Sequence, residues 1–437
     1  MKTLKLFLLA LTIPVIVTAQ TFTLEQSIDT GLKNSKELKI SNSKVIGYDA
    51  KITEIGSQML PQLKLSAGYT RLSDVPDFSV TVPGFNKSFN IQEVVLNNYQ
   101  VKLSLQQPLF TGFRLSSLKS AAKYNYTASE LEYDKDINEY ALKIQSAFWN
   151  FYKAKQIKSL LEETLKQIDN HLQDTKNYLE NQLVTKNDVL KLEVQHSNTQ
   201  LALIEAENNL DLARINFNRV LGIDLDSQTD IKTDEINLIK SNYDLDNITK
   251  EAIQNRKELQ SMEYRLKSSE DVVTAANSNW FPTVSLFGNV YYQRPNQRYL
   301  PLEDIDHGSW DVGIALSWDV WNWGYNSSQT TQAEQNYLQA QTSFSELKDA
   351  VQVEVYQSYL TYKRSFDKVD VSKKSVEQAD ENYRIMQQKY DEQLATSTDL
   401  IDAEVSVLQA KTNLTNSLVD YQLAKVHLEK AIGRKIY

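Results

Sequence analysis

The chain has 437 residues, a formal net charge of -9 at pH 7 and no cysteine. The absence of cysteine excludes a disulfide framework, a thiol nucleophile and a lipid-attachment cysteine, and the negative charge argues against nucleic acid as a partner. No metal site and no other cofactor is predicted, because no ligand spacing relates the four histidines, His171, His196, His307 and His427.

The first residues have the pattern of a secretory signal. Two lysines precede an almost wholly apolar run at 6–17, and Val17-Thr18-Ala19 forms a small-residue cleavage site. The apolar run is shorter than the roughly 20 residues that a membrane-spanning helix requires. We therefore expect residues 1–19 to be a signal peptide and the mature protein to be exported.

The remainder of the chain is predicted to consist of two tandem structural repeats. A shift of 211 positions places Asp188 on Asp399 and Gly222 on Gly433 without a gap. A unit that cannot bury its own apolar face is stabilised by stacking with copies of itself. The predicted divisions are a first repeat at 20–222, an acidic linker at 223–244 and a second repeat at 245–437.

Each repeat is predicted to contain helices, a β-hairpin and a long helical hairpin. Thr23 with Gln26 resembles a capping box at the start of the first helices. The predicted elements are helices at 23–60 and 245–281, β-hairpins at 62–110 and 283–321, and long helical hairpins at 114–221 and 325–432.

The long helices are predicted from the spacing of apolar residues. Steps of four and three separate Ile137, Ala141, Ile144, Phe148 and Phe151. No glycine or proline interrupts 114–180, which at roughly 1.5 Å per residue would form a rod about 100 Å long. Taken alone, these helices also fit an ordinary coiled coil or scaffold rod.

Two segments in each repeat change to an alternating period. Apolar and polar residues alternate at 63–70, 99–106, 284–292 and 310–319. Strands of about ten residues suit a tilted crossing of the bilayer hydrocarbon, and aromatic residues cluster towards the strand ends. Packing on a soluble core is the alternative, but the neighbouring rods offer no obvious surface to cover a sheet.

Four strands from one chain cannot close into a barrel. An open edge in lipid leaves backbone groups unpaired, so we expect two copies to share eight strands or three copies to share twelve. The polar faces carry Lys64, Lys102, Asp311 and Asp319, which favour a water-filled lumen and hence three copies. The predicted fold class is mainly α with transmembrane β, a trimer with a shared 12-stranded β-barrel whose pore is prolonged by an α-helical barrel.

Three motifs resemble those of the TolC-type outer membrane factor family. They are Gln107-Pro108-Leu109-Phe110-Thr111-Gly112 after the second strand, and Leu221-Gly222 and Ile432-Gly433 at helix ends. The resemblance covers essentially the whole mature chain and implies a homotrimer, an outer membrane barrel and a periplasmic helical barrel with a closed tip. It also implies a periplasmic adaptor (membrane fusion) protein and an inner membrane transporter of the RND or ABC type as partners. The acidic linker resembles the family's equatorial segment.

The resemblance places the tip at the turns between the long helices, 181–188 and 392–399. It implies that Asp188 and Tyr390 take part in the links that close the tip. Ala395 stands where the family's closing network has an arginine.

The resemblance also implies that Asp399 and Asp402 form acidic rings at the entrance. The two residues are three positions apart and hence on one helix face, so a threefold axis would gather six carboxylates, which favour cations in a narrow lumen. Capping is the alternative role for Asp188 and Asp399, because each lies in the first turn of a returning helix. Capping explains Asp402 poorly, so Asp402 is the stronger candidate for a pore charge.

The predicted function is that of a passive channel-tunnel in a tripartite efflux pump or a type I secretion system, located in the outer membrane and extending into the periplasm. Its energy must come from the inner membrane transporter, since the sequence has no phosphate-cradling glycine run. The alternative is an exported coiled-coil scaffold or adhesin with soluble β segments. An enzyme is not expected, because no carboxylate pair and no Ser/His/Asp set stands out.

Overall fold

The computed structural model describes residues 20–76, 78–81, 83–84, 88–92, 94–233, 236, 238, 241–300 and 302–437. The predicted signal peptide at 1–19 lies outside the described residues, as do Asp234 and Glu235 of the predicted linker.

The described chain is mainly helical. The elements up to residue 221 are β1 (Gln20–Phe22), α1 (Leu24–Asn34), α2 (Lys36–Ser57), β2 (Gln62–Arg71), β3 (Phe78–Thr81), β4 (Ser88–Gln92), β5 (Asn97–Phe110), α3 (Arg114–Glu180) and α4 (Lys186–Leu221). The later elements are β6 (Thr229–Ile231), α5 (Leu245–Asn255), α6 (Lys257–Asn277), β7 (Thr283–Arg294), β8 (His307–Ser317), α7 (Tyr325–Asp391) and α8 (Ser397–Ile432). The helices α3 and α7 have 67 residues each, and α4 and α8 have 36 residues each. Among the described helices, none combines the length and the apolar character needed to cross a bilayer.

The chain divides into two compact units. The first, called the tip unit below, comprises the described residues of 20–42, 133–259 and 348–437. The second, called the sheet unit, comprises Ser43–Glu132 and Gln260–Leu347.

The core of the tip unit forms where aromatic side chains of α3 meet the end of α4. Phe148 and Phe217 are fully buried with ring centroids 6.1 Å apart, and Phe151 lies 5.6 Å from Phe217. Phe22 packs on Phe217 at 6.2 Å, because β1 pairs in parallel with β6 and places Phe22 opposite Ile231. Burial of one such side chain contributes roughly 1.5–3 kcal/mol, so this cluster fixes α3 and α4 to each other.

Both returning helices end in a left-handed glycine packed against a shorter helix. Gly222 has φ +68°, and a Cβ there would lie 2.8 Å from the Cβ of Asn34. The Asn34 side-chain amide donates to the Leu221 carbonyl oxygen at 3.1 Å. Gly433 has φ +86°, and a Cβ there would lie 3.0 Å from the Arg256 backbone nitrogen. Only glycine fits these two positions without displacing the neighbouring helix.

Arg256 ties the second of these junctions together from a buried position. One guanidinium nitrogen donates to the Ala431 carbonyl oxygen at 3.0 Å, and another donates to Glu354 at 2.7 Å. Nε donates to Glu258 at 2.6 Å. The side chain therefore satisfies a carbonyl in the last turn of α8, which has no partner within the helix, together with two carboxylates.

The sheet unit contains an open sheet of four antiparallel strands in the order β2-β5-β7-β8. The register places apolar residues opposite one another on one face, as in the pairs Leu65–Leu103, Val101–Tyr292 and Val290–Trp310. The other face is polar and includes Ser104, Asn289 and Asp311 at opposed positions. The alternation in the sequence thus corresponds to two chemically different faces.

The apolar face of this sheet is largely exposed on a single chain. Leu65 is 69% exposed and Trp310 is 71% exposed. The outer sides of β2 and β8 have no partner strand within the described residues. The described part of one chain therefore presents an uncovered apolar face and two free backbone edges.

Candidate functional site at the helix turns

The two turns between the long helices lie in the tip unit and have the same backbone geometry. Gln182 (φ +59°) and Gln393 (φ +62°) take the left-handed conformation just after the helices end. The Leu183 amide donates to the Tyr178 carbonyl oxygen at 2.9 Å, and the Leu394 amide reaches back to the preceding turn in the same way. These bonds satisfy carbonyl groups at the helix C-termini, so the reversals have a defined geometry even though they lack glycine.

A threonine and an aspartate cap each returning helix. Asp188 accepts hydrogen bonds from the backbone amide of Thr185 at 2.9 Å and from its hydroxyl at 2.7 Å. Asp399 accepts the corresponding bonds from Thr396 at 2.9 and 2.6 Å. The hydrogen bonds from the threonines lower the pKa of both carboxyls, since they favour the ionised form. Both aspartates therefore act as structural caps.

Asp402 lies one turn beyond Asp399 on α8 and is exposed. Its carboxylate takes part in no hydrogen bond or ion pair within the part of the chain that the structure describes, whereas its backbone oxygen accepts from the Ser406 hydroxyl at 2.7 Å. The Asp402 carboxylate does not cap a helix, so its charge is exposed to solvent.

Tyr390 of α7 is buried against α3. Its hydroxyl is hydrogen bonded to the Thr175 hydroxyl at 2.7 Å, and burial raises the pKa of its phenol. Its ring lies 4.9 Å from the His171 ring and 5.9 Å from the Tyr178 ring. This tyrosine therefore links the two helical hairpins just before the turn at 392–396.

A cleft of about 310 Å³ lies between the two turns. Its walls include Asp188 and Tyr390, two of the predicted site residues, while Asp399 and Asp402 are not part of its lining. Asp188 and Tyr390 share this cleft without a hydrogen bond between them in the described structure. The predicted site is thus divided into a linking region and a separate exposed acidic region.

A lysine elsewhere near the turns forms a bond between the two hairpins. Ala395 has no polar side chain, but Lys191 of α4 donates to the Thr398 hydroxyl at 2.9 Å. This bond joins the starts of the two returning helices. This cross-hairpin bond therefore comes from a residue that was not among the predicted site residues.

A buried histidine and glutamate next to Tyr390 were not predicted from the sequence. His171 Nδ1 lies 3.5 Å from Glu404 Oε1, and the two side chains are 4% and 2% exposed. Neither imidazole nitrogen and neither carboxylate oxygen has a hydrogen-bond partner within the described residues. The signal was the position of His171 on the apolar seam of α3, three residues after Ile168, because a polar residue on such a seam needs a partner.

A model of the family described as outer membrane efflux protein matches residues 28–223 and 248–434, which together make up most of the chain. Outer membrane protein TolC of Escherichia coli (strain K12) is 24% identical over 131 residues. That stretch covers 30% of this chain and 27% of the relative, so the chain spans about a quarter of the length of the relative that it matches.

Solved structures resemble the whole chain more evenly. The CmeC outer membrane channel of Campylobacter jejuni gives a TM-score of 0.79 at 17% identity, with 94% of this chain and 85% of that chain covered. The outer membrane protein VceC of Vibrio cholerae gives 0.77 at 17% identity, with 95% and 97% covered. At identities this low, the similarity shows the fold alone. It confirms the mainly helical part of the predicted fold class.

The family match extends over both halves of the chain and confirms the predicted location in the outer membrane and periplasm. The resemblance seen in the sequence motifs therefore reflects true membership: this chain belongs to the outer membrane efflux protein family.

Proposed function

We propose that three copies of this chain form a conduit that passively conducts substrates across the outer membrane. Each copy would contribute four strands to a shared 12-stranded β-barrel and its long helices to a periplasmic α-helical barrel. A periplasmic adaptor and an inner membrane transporter of the RND or ABC type would deliver the substrate, as in a tripartite efflux pump or a type I secretion system.

The exposed apolar face of the open sheet carries this proposal. A soluble chain would bury a face on which Leu65 and Trp310 are mostly exposed. Lipid could cover the apolar face of the sheet, but it could not satisfy the free edges, because unpaired backbone groups in hydrocarbon cost several kcal/mol each. Pairing of β2 with β8 of a neighbouring copy would satisfy both edges and turn the polar face towards an aqueous lumen.

Apolar stripes on the long helices support packing between copies. They consist of Leu190, Val194, Leu201 and Ile204 on α4, and Val353, Leu360 and Val371 on α7, all of them exposed. The spacing keeps each set on one side of its helix, where a neighbouring helix would bury it. A coiled-coil scaffold, the alternative function, would account for these stripes but not for the exposed face of the sheet.

The turns between the long helices would form the entrance of the conduit. Asp402 would supply the ring charge, since the carboxylate of Asp399 is engaged as a cap. The Tyr390–Thr175 bond and the His171–Glu404 pair would hold the two hairpins of each copy together, and opening would separate them.

The two faces of β2 provide a direct test of the conduit. Leu65→Arg should reduce assembly in the outer membrane, because arginine at a lipid-facing site near the bilayer midplane costs about 2–4 kcal/mol. Ser66→Arg adds the same charge to the polar face, and we expect nearly normal assembly. Membrane fractionation with crosslinking of the trimer measures both variants. Equal assembly would contradict the assignment of faces, and a stable detergent-free monomer would contradict the conduit itself.

Asp402→Asn should weaken block of reconstituted channels by a trivalent cation such as hexaamminecobalt(III). Three copies would lose three entrance charges, so we expect the blocking concentration to rise about fivefold or more. Glu381→Gln is the matched control, because Arg384 already holds that carboxylate at 2.7 and 2.8 Å on the surface of α7. Identical block in the two variants would remove Asp402 from the lumen.

Tyr390→Phe should raise the open probability of the channel. The change deletes the bond to Thr175 and keeps the ring, and a hydrogen bond worth about 0.5–1.5 kcal/mol corresponds to a change of roughly twofold to tenfold. Tyr383→Phe is the control, since its hydroxyl makes no hydrogen bond within the described part of the chain. Single-channel recording at fixed voltage compares the two, and an unchanged record for Tyr390→Phe would argue against its role in closure.

The buried His171–Glu404 pair predicts that a single replacement destabilises the protein more than a double replacement does. His171→Leu leaves the Glu404 carboxyl buried without the imidazole beside it, which should destabilise the tip unit by about 3–5 kcal/mol. The double variant with Glu404→Met removes both polar groups, and we expect stability close to that of the wild type. His196→Leu is the control, because its pair with Asp169 is partly exposed and worth less than about 1 kcal/mol. Thermal unfolding in detergent measures all three, and equal losses in the single and double variants would contradict the pairing.

A further inference from the structure

The loop between β7 and β8 is folded down onto the polar face of its own hairpin. Asn296, only 1% exposed, donates its side-chain amide to the His307 carbonyl oxygen at 3.1 Å and to the Ser309 hydroxyl at 3.0 Å. The Tyr299 ring stacks on the His307 ring with centroids 4.2 Å apart. The loop is therefore anchored by specific contacts to the strand that follows it.

This anchoring fixes Arg298 over the sheet. Its backbone amide donates to the Asn296 side-chain oxygen at 3.0 Å, and one guanidinium nitrogen donates to the Trp310 carbonyl oxygen at 2.8 Å. A second guanidinium nitrogen binds the Asp311 carboxylate. Asp311 also accepts a hydrogen bond from the Asn289 side chain at 2.6 Å, so the ion pair is tied to two strands.

Two cations converge on one aromatic ring at this place. The Arg298 guanidinium carbon lies 4.9 Å from the centroid of Tyr291, and Lys102 Nζ lies 5.3 Å from it. Lys102 is opposite Tyr291 in the register, and Asn289 is opposite Asp311, so all of these side chains share the polar face. We call the set Lys102, Asn289, Tyr291, Arg298 and Asp311 the Arg298 cluster.

The Arg298 cluster carries a net positive charge and lies at the loop end of the hairpin. Two cations and one carboxylate leave one positive charge in each cluster, from which Arg294 and the loop carboxylates Glu303, Asp304 and Asp306 are separate. The opposite ends of the strands lead into helices, since α6 precedes β7 and α7 follows β8. In the proposed conduit the loop end is therefore the outer mouth, and three copies would place three such clusters around it.

We infer that the Arg298 cluster is a charge-selecting site that binds anionic solutes at the outer mouth of the conduit. The inference rests on the proposed function, because only a shared barrel turns the polar face towards a lumen. A ring of fixed charges in a confined aqueous pore concentrates ions of the opposite sign, and guanidinium and ammonium groups are suited to phosphate and carboxylate oxygens. The cluster would thus favour passage of anions at the exit, whereas the acidic entrance would favour cations.

A second arginine in the same hairpin provides a matched control. Arg294 pairs with Asp304 through two hydrogen bonds at 3.0 and 3.3 Å. It follows Gln293 at the end of β7 and so belongs, by alternation, to the apolar face that carries Tyr292. Replacing Arg294 removes one positive charge from the hairpin, as replacing Arg298 does, but it leaves the charges of the polar face unchanged.

The test is block of single channels in planar bilayers by inorganic triphosphate added to each chamber in turn. Arg298→Gln should raise the blocking concentration from one side by about threefold or more, because each copy loses the excess positive charge. Lys102→Gln should have the same effect while leaving the hydrogen bonds of the loop intact. Asp311→Asn should lower the blocking concentration from that same side, and Arg294→Gln should change neither side.

The opposite signs exclude a general loosening of the loop, since Arg298→Gln and Asp311→Asn both break the same ion pair. If the wild type forms channels and all four variants block alike, the inference is wrong and the conduit stands. If the wild type forms no channel in any preparation, the proposed function and the inference fall together.

Discussion

The rest of this structure depends on one constraint: the described part of a single chain leaves apolar surface and backbone edges uncovered. Strands of alternating character produce one apolar and one polar face, and four strands leave two edges with unpaired hydrogen-bonding groups. The apolar stripes of α4 and α7 add uncovered surface in the tip unit. In the proposed trimer, lipid would cover the apolar face of the sheet and water would meet its polar face. Neighbouring copies would cover the free edges and the apolar stripes of the helices.

Features whose partners lie close together in the chain could be predicted from the sequence. The faces of the strands follow from a period of two, the seams of the long helices follow from steps of three and four, and the capping of Asp188 and Asp399 needs only a threonine three residues earlier. The Tyr390–Thr175 bond joins residues 215 positions apart, and no periodicity relates them. The same holds for His171 with Glu404 and for Arg298, whose position depends on how an irregular loop folds.

Residues 211 positions apart in the two halves of the chain are alike where they shape the backbone, and they differ where they link the two helical hairpins. Asp188 and Asp399 are equivalent, and both are caps. Glu404 is buried beside His171, whereas its equivalent Glu193 is exposed and lies 3.4 Å from Lys176. Tyr390 corresponds to Leu179, which has no hydroxyl. Within the described residues, the Tyr390–Thr175 and His171–Glu404 links thus have no counterpart at the positions 211 residues away. In the proposed conduit this would give the two hairpins of each copy different roles during opening.

The equal lengths of the corresponding helices restrict how this chain can tolerate insertions and deletions. Adding one residue within α3 or α7 would rotate everything beyond it by about 100° and advance it by about 1.5 Å. The seam residues would then point away from their partners, and the turn that follows would lose its alignment with the other turn. Length changes within the rods are therefore confined to multiples that restore the phase, such as seven residues, and would have to occur in both halves together. The loops of the sheet carry no such restriction, which leaves them free to differ in length between the halves.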